Sequence, residues 1–175
     1  MAGLQMDRAA AKALLRQMQP QMMAMFASQK GDAPLYGEEM TLELATGTRK
    51  IMHYASGKAK APVYFDIHGG GYTWGTIADG DTWNHQLCET FGWEVYSLDY
   101  PLVPDEEYPT QLNWVYETIS YIRSRPETFH VDPDDMRIGG RSAGGNMTAA
   151  LCLYAKEKGE FQFAAQILDH PWLDL

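Results

Sequence analysis

Two short segments of this sequence have residue types and spacing that could do chemistry. One is Gly140-Arg141-Ser142-Ala143-Gly144, and the other is His68-Gly69-Gly70-Gly71. A serine on a sharp strand-to-helix turn holds its Oγ clear of the backbone. From there it attacks an electrophilic carbon once a base removes its proton. Glycines at 140 and 144 suit such a turn, because side chains there would collide where the chain doubles back. The Ala143 N–H then falls at a helix N-terminus, where backbone donors are free to hold an anion. A run of three glycines after a strand lets the backbone approach a ligand with its N–H groups inward. Donors of that kind stabilise a developing oxyanion, and losing one typically costs about 2.7–4 kcal/mol of transition-state stabilisation. The glycine run also fits a flexible loop. It fits a phosphate-binding turn poorly, since no Gly-Lys-Ser/Thr or G-x-G-x-x-G sequence follows it.

These motifs need elements to position them. The apolar run 62–67 reads as a strand ending at His68, and 136–138 as a short strand running into Gly139 and Gly140. Residues 143–158 read as a helix that begins with small side chains. Further strands are expected at 40–44, 50–54, 94–98 and 161–168, and helices at 84–91 and 109–123. A turn through 45–48 joins the first two strands. Asp132, Asp134 and Asp135 read as a polar turn. After the opening hairpin, strands alternate with helices, which predicts a mostly parallel α/β sheet. Residues 2–29 have helical spacing and carry many methionines, and Pro20 is expected to break or kink them into two helices. Flexible thioethers suit a helix packed on the domain or a mobile cap over an apolar pocket. The domain reading is therefore a helical cap segment over 1–35 and an α/β core over 36–175.

Bulk properties bound the rest. Of the 175 residues, 45% are hydrophobic and 21% charged, an ordinary globular balance. The formal charge of −9 disfavours a nucleic-acid partner, because no Lys/Arg cluster is available to neutralise phosphates. The two cysteines, Cys88 and Cys152, lack metal-ligand spacing and read as small buried residues, so neither metal nor cofactor is expected. No stretch approaches the ~18 apolar residues of a transmembrane helix. Asp7, Arg8, Lys12 and Arg16 interrupt any leader-like apolar core, and the expected location is cytoplasmic.

The motifs taken in order resemble the hormone-sensitive-lipase-like family of α/β-hydrolases, which includes many bacterial carboxylesterases. The resemblance rests on Asp66-Ile67-His68-Gly69-Gly70-Gly71-Tyr72 and on Leu98-Asp99-Tyr100-Pro101-Leu102-Val103-Pro104-Asp105, similar to the family's D-Y-R-L-A-P-E. It continues through Gly140-Arg141-Ser142-Ala143-Gly144-Gly145-Asn146, similar to G-D-S-A-G-G-N. His170-Pro171-Trp172-Leu173-Asp174 is similar to the family's Y-P-x-x-D. The resemblance implies an α/β-hydrolase fold and hydrolysis of carboxylic esters of modest acyl length. It also implies Ser142 as nucleophile, with Gly70, Gly71 and Ala143 as backbone donors to the oxyanion. His68 then braces the glycine loop and is not the base. Tyr72 and Trp74 follow the loop, placed either to narrow a substrate pocket or to serve as core aromatics.

Three departures from the family pattern stand out. Arg141 replaces the usual acidic residue, offering a cation to a carboxylate of substrate or protein. Pro101 replaces the usual arginine. The family's catalytic acid and histidine, which follow later strands, have no counterpart up to Leu175. The expectation is therefore an N-terminal portion of an α/β-hydrolase, with about six strands of a normally eight-stranded sheet. Of the histidines, His53, His68, His85, His130 and His170, the last alone joins His68 at a strand's C-terminal end. A Ser142–His170 dyad is the in-chain alternative, and a loop residue shaping the pocket wall is the plainer reading of His170. The expected partner is a small-molecule ester. An apolar edge at 161–168 further suggests a homo-oligomer or a complementing C-terminal chain. Two readings compete with a working esterase. One is a non-catalytic module binding a small carboxylate on the same fold, as in the gibberellin receptors; the other is an inactive fragment.

Overall fold

The computed structural model describes residues 7–30 and 33–173, with the backbone alone for 26–30. Met1, Ala2, Leu4, Met6, Asp174 and Leu175, which entered the sequence expectations, lie outside the described residues. The elements in chain order are α1 (Arg8–Lys30), β1 (Glu38–Leu44), β2 (Gly47–Tyr54), β3 (Ala61–Ile67), α2 (Asp81–Phe91) and β4 (Glu94–Leu98). They continue with α3 (Thr110–Arg123), α4 (Pro126–Phe129), β5 (Val131–Arg141), α5 (Ala143–Lys158) and β6 (Ala165–Asp169). The strands form one sheet in the order β1-β2-β4-β3-β5-β6. β1 pairs antiparallel with β2, and β2 with β4. The pairings β4–β3, β3–β5 and β5–β6 are all parallel. A parallel pair needs a crossover, and the helices supply it.

Central strands of a parallel sheet are covered on both faces and read as continuous apolar runs. β3 and β4 fit this, since every residue is buried except Pro62. Side chains alternate between faces along each strand. Val63, Phe65 and Ile67 of β3 join one core with Leu112, Val115 and Ile119 of α3 and with Met147 and Leu151 of α5. Tyr64, the next residue along, joins the opposite core with Met52, Val95, and Leu87 and Cys88 of α2. Both cysteines are free.

Three expectations are corrected. α1 runs unbroken through Pro20. Its first turn is capped by Asp7, whose Oδ1 accepts from Ala10 N at 2.8 Å. Ion pairs of Arg8 and Lys12 with Glu107 and of Arg16 with Asp105 then hold the turns ahead of the proline. Fixing those turns offsets the one backbone bond the proline removes. The second correction concerns 131–135, which belong to β5. The ladder jumps from Ala61↔Val131 to Val63↔Met136, so the acidic residues form a bulge. Within it, Asp134 N donates to Asp132 Oδ1 at 3.1 Å, turn chemistry inside a strand. The third is β6, which begins at Ala165 and not at 161. Phe161 leaves the ladder to stack on Tyr116, centroids 5.2 Å apart, where it is buried.

Candidate active site

β5 ends at Arg141 and α5 starts at Ala143, leaving one residue to reverse the chain. Ser142 does so at φ 54 and ψ −114. A non-glycine residue at such angles stores strain of order 1–3 kcal/mol and persists only where its surroundings dictate it. The flanking glycines show how tightly they do. A Cβ on Gly140 would lie 2.5 Å from Ile67 O, and one on Gly144 would lie 2.0 Å from that same oxygen. The end of β3 is therefore pressed against both arms of the turn. Ser142 N donates to Asp169 O at 2.9 Å, and Ser142 O accepts from Asn146 N at 3.0 Å.

The glycine loop leaves β3 on the same edge of the sheet. A Cβ on Gly69 would sit 2.9 Å from Arg141 O and 3.7 Å from Ser142 Cβ, so the two motifs distant in sequence are in contact. Gly70, Gly71 and Tyr72 all take positive φ, at 107, 59 and 62. Gly70 O accepts from Thr73 N at 3.0 Å and Trp74 N at 3.2 Å. Gly69 O accepts from Tyr100 Oη at 3.3 Å and contacts His68 Nδ1 at 2.8 Å. In a trans peptide the N–H points opposite to the carbonyl. The Gly70 N–H therefore points away from His68 and Tyr100, and the Gly71 N–H away from Thr73 and Trp74. Among the described residues none accepts a hydrogen bond from the N–H of Gly70, Gly71 or Ala143.

His68 is buried and stacks on Tyr100, centroids 4.1 Å apart and planes within 10°. Tyr100 Oη also donates to His68 O at 2.9 Å. Burial drives the Tyr100 phenol far above its ordinary pKa, which keeps it a donor. Tyr100 is a bracing residue that sequence reasoning missed, although it sits in a quoted motif. Asp66 was missed as well, although its signal was a carboxylate inside an apolar strand. It is buried, its Oδ2 accepts from Asn84 Nδ2 at 2.9 Å and Ser97 Oγ at 3.3 Å, and burial pushes it up to about 6.

The remaining residues sort by place. Tyr72 lines a cleft of about 280 Å³ with Gly71, Val103, Leu112, Asn146 and Met147. Trp74 is not among the residues lining that cleft and packs on the loop, its Cδ1 2.9 Å from where a Gly70 Cβ would be. Arg141 takes the protein carboxylate of its two expected partners, with Nε 2.6 Å from Asp169 Oδ2. His170 Nδ1 contacts the other oxygen of the same carboxylate. Hydrogen bonds from Arg141 and then His170 hold the Asp169 carboxyl below its usual range. His170 is exposed and, among the described residues, bonds Asp169 and not Ser142. Among the described residues no His, Cys, Asp or Glu group converges to hold a metal, and no helix is long and apolar enough to cross a membrane.

A family model described as the alpha/beta hydrolase fold matches residues 64–175, a span that includes both motifs. The chain is similar to the carboxylic ester hydrolase LipN of Mycobacterium tuberculosis, 30% identical over 126 residues, which cover 71% of this chain and 34% of that protein. It is also similar to neutral cholesterol ester hydrolase 1 of Bos taurus, 38% identical over 92 residues, 49% of this chain and 22% of that one. Among solved structures, the metagenomic thermostable carboxylesterase EstE1 superposes with a TM-score of 0.79 at 25% identity, covering 97% of this chain and 58% of that one. The ester-hydrolase EH1AB1 from the metagenome of Lake Arreo, complexed with a derivative of bipyridine phosphonate, superposes at 0.81 with 25% identity, covering 91% and 52%. The chain spans about a third or less of the length of these relatives and about half that of these structures.

Proposed function

This chain belongs to the hormone-sensitive-lipase-like family of α/β-hydrolases, and on that premise we propose that it carries the nucleophile and oxyanion site of a carboxylesterase. The observation behind the proposal is the strained Ser142 in contact with a glycine loop, beside three backbone N–H groups that no described residue uses. In this reading a base takes the Oγ proton and Oγ bonds to the ester carbonyl carbon. The carbonyl oxygen becomes an anion against Gly70, Gly71 and Ala143 N–H. The C–O bond to the alcohol then breaks, the alcohol leaves with the proton, and water releases the acid to restore Ser142. No base is assigned within the described chain.

The cleft of about 280 Å³ runs from Gly71 along Met147 and Ala150 of α5 to Leu112 of α3, and it suits an acyl group of short to medium length. Tyr72 forms part of its wall. The cap role of 1–35 is supported by α1 lying beside this wall, where Gln19 Nε2 donates to Thr73 O at 2.7 Å and Val103 O at 3.3 Å. A carboxylate-binding module built on Arg141 is less well supported, because that guanidinium already holds Asp169.

An activated phosphonate ester followed by peptide mass mapping tests the reading. The expected result is a single adduct on Ser142 that is lost in Ser142→Ala. Labelling at another residue, or equal labelling of the variant, overturns it.

A further inference from the structure

The donors of the proposed oxyanion site come from two separate elements, and they must converge on one oxygen. Gly70 and Gly71 belong to the loop after β3, and Ala143 to the first turn of α5. The loop has little intrinsic stiffness, since glycine offers no side chain to restrict it. A side-chain hydrogen bond joins loop to helix close to these donors. Tyr72 Oη, on the residue after Gly71, donates to Asn146 Oδ1 at 2.5 Å. Asn146 lies three residues beyond Ala143, and its own N–H holds Ser142 O at 3.0 Å.

We propose that Tyr72 and Asn146 are positioning residues, a clamp that fixes the glycine loop's N–H groups against the Ala143 N–H and the Ser142 nucleophile. The inference rests on the esterase reading above. Both ends of the clamp are held. The Tyr72 carbonyl accepts from Val103 N at 2.9 Å, and its ring meets the Tyr100 ring edge-on at 6.0 Å. Burial pushes the Tyr72 phenol up to about 12, so it remains protonated and can donate at neutral pH. The Asn146 amide has one workable orientation. Its Nδ2 donates to Trp172 O, so a flipped amide would set oxygen against that carbonyl. Because Trp172 follows β6, the clamp also ties the segment after Asp169 to the helix. Both residues line the cleft together with Gly71, and Tyr72 is bonded in sequence to that donor.

The test is phosphonylation of the full 175-residue chain by a biotinylated aryl alkylphosphonate, read as the maximal rate and the half-saturating concentration. Tyr72→Phe removes only the hydroxyl, and Asn146→Leu removes the acceptor, together with the Nδ2 donor to Trp172 O, at similar volume. Each is expected to lower the maximal rate about tenfold with half-saturation held within about twofold, because small misplacements of reacting groups are costly. The double variant should be no slower than Asn146→Leu alone, since Tyr72 acts through the bond that Asn146→Leu has already removed. A wild-type rate for Tyr72→Phe overturns the clamp, and so does a multiplicative loss in the double variant. A changed half-saturation at constant maximal rate makes the pair a cleft-wall contact and overturns it too. If Asn146→Leu does not fold, Tyr72→Phe alone decides. No labelling of the wild-type chain at Ser142 overturns the esterase reading and the clamp with it. Labelled wild type with an unaffected Tyr72→Phe overturns the clamp alone.

Discussion

The two ends of the sheet handle polarity in opposite ways. Where β3 and β5 terminate, the backbone is bent through positive φ at Gly70, Gly71, Tyr72 and Ser142, and the N–H groups of Gly70, Gly71 and Ala143 have no acceptor among the described residues. Where β4 begins, polarity is buried but answered. Glu94 is 1% exposed, and its Oε2 accepts from Ser56 N at 2.9 Å and Ser56 Oγ at 2.6 Å. Its Oε1 pairs with His53 Nε2, and the His53 ring stacks on Tyr96. A buried polar group without a partner costs free energy, and natural structures rarely tolerate one. An end that stores strain and keeps donors open fits a site for something that is not protein. An end that satisfies both oxygens of its buried carboxylate fits a structural joint. The contrast can be broken from either side.

The largest expected effect is at the strained end. Gly144→Ala would place a Cβ 2.0 Å from Ile67 O and 2.6 Å from His68 O, both backbone atoms that cannot rotate away. Overpacking of this kind costs about 3 kcal/mol. Urea unfolding should show a loss of that size. A loss below about 1 kcal/mol would mean the elbow is looser than its contacts imply.

Glu94→Gln tests the satisfied end and should cost about 2 kcal/mol near neutral pH, since hydrogen bonds to a charged group are the strong ones. Burial pushes the Glu94 carboxyl up, but the bonds from His53 and Ser56 outweigh it and hold the group below its usual range. A depressed carboxyl contributes stability above its unfolded pKa and loses it as pH falls through the folded one. The gap between wild type and variant should therefore close on acidification. Thermal melts from pH 7 to pH 3 with a constant gap would show that the charge is not what stabilises this joint.

The strands and the helix that build the strained end were legible in the sequence, whereas the Glu94 joint was not. The runs at 62–67 and 94–98 matched their strands closely because buried parallel strands leave little room for polar residues. The helix from Ala143 was legible because Gly144 and Gly145 admit no other close packing against β3 and β5. What escaped depended on distant partners. Phe161 and Phe163 look like strand residues, yet Phe161 is drawn off the ladder by Tyr116. Asp132–Asp135 look like a turn because their local chemistry is a turn, and only the β3 ladder makes them a bulged strand. Tyr100, Asn146 and Asp169 acquire their places from residues 28 to 74 positions away, which no local pattern encodes.

Asp66 lies at the strained end, one residue before the end of β3, and follows neither pattern. Its carboxyl is buried between β4 and the start of α2, with Ser97 and Asn84 as donors, Asp79 as a like charge and Arg141 as an opposite one. Burial raises it to about 6, so the ionised form is disfavoured in the folded state. For a raised carboxyl, stability is full below the unfolded pKa and declines as pH rises through the folded one. Asp66→Asn should therefore stabilise the protein by about 1–2 kcal/mol at pH 8 and have little effect at pH 4. Melting curves at the two pH values decide. Destabilisation at pH 8 would show that the carboxylate is better solvated than its burial indicates.

The smallest effect addresses the strain itself. In most positions glycine is less stable than alanine by about 0.5–1 kcal/mol, because the unfolded chain gains freedom. At Ser142 the order should reverse. Alanine keeps a Cβ at φ 54 and ψ −114 and so keeps the strain, whereas glycine releases it. With strain of about 1–3 kcal/mol set against the entropy term, Ser142→Gly should exceed Ser142→Ala in stability by about 1 kcal/mol. Both variants lack Oγ, so neither should form the phosphonate adduct, and the comparison isolates the backbone. The measurement is the difference in urea midpoint between the two variants at equal slope. If alanine proves equal or better, the elbow is held without strain. The open donors of Gly70, Gly71 and Ala143 would then be what sets this end of the sheet apart from the Glu94 joint.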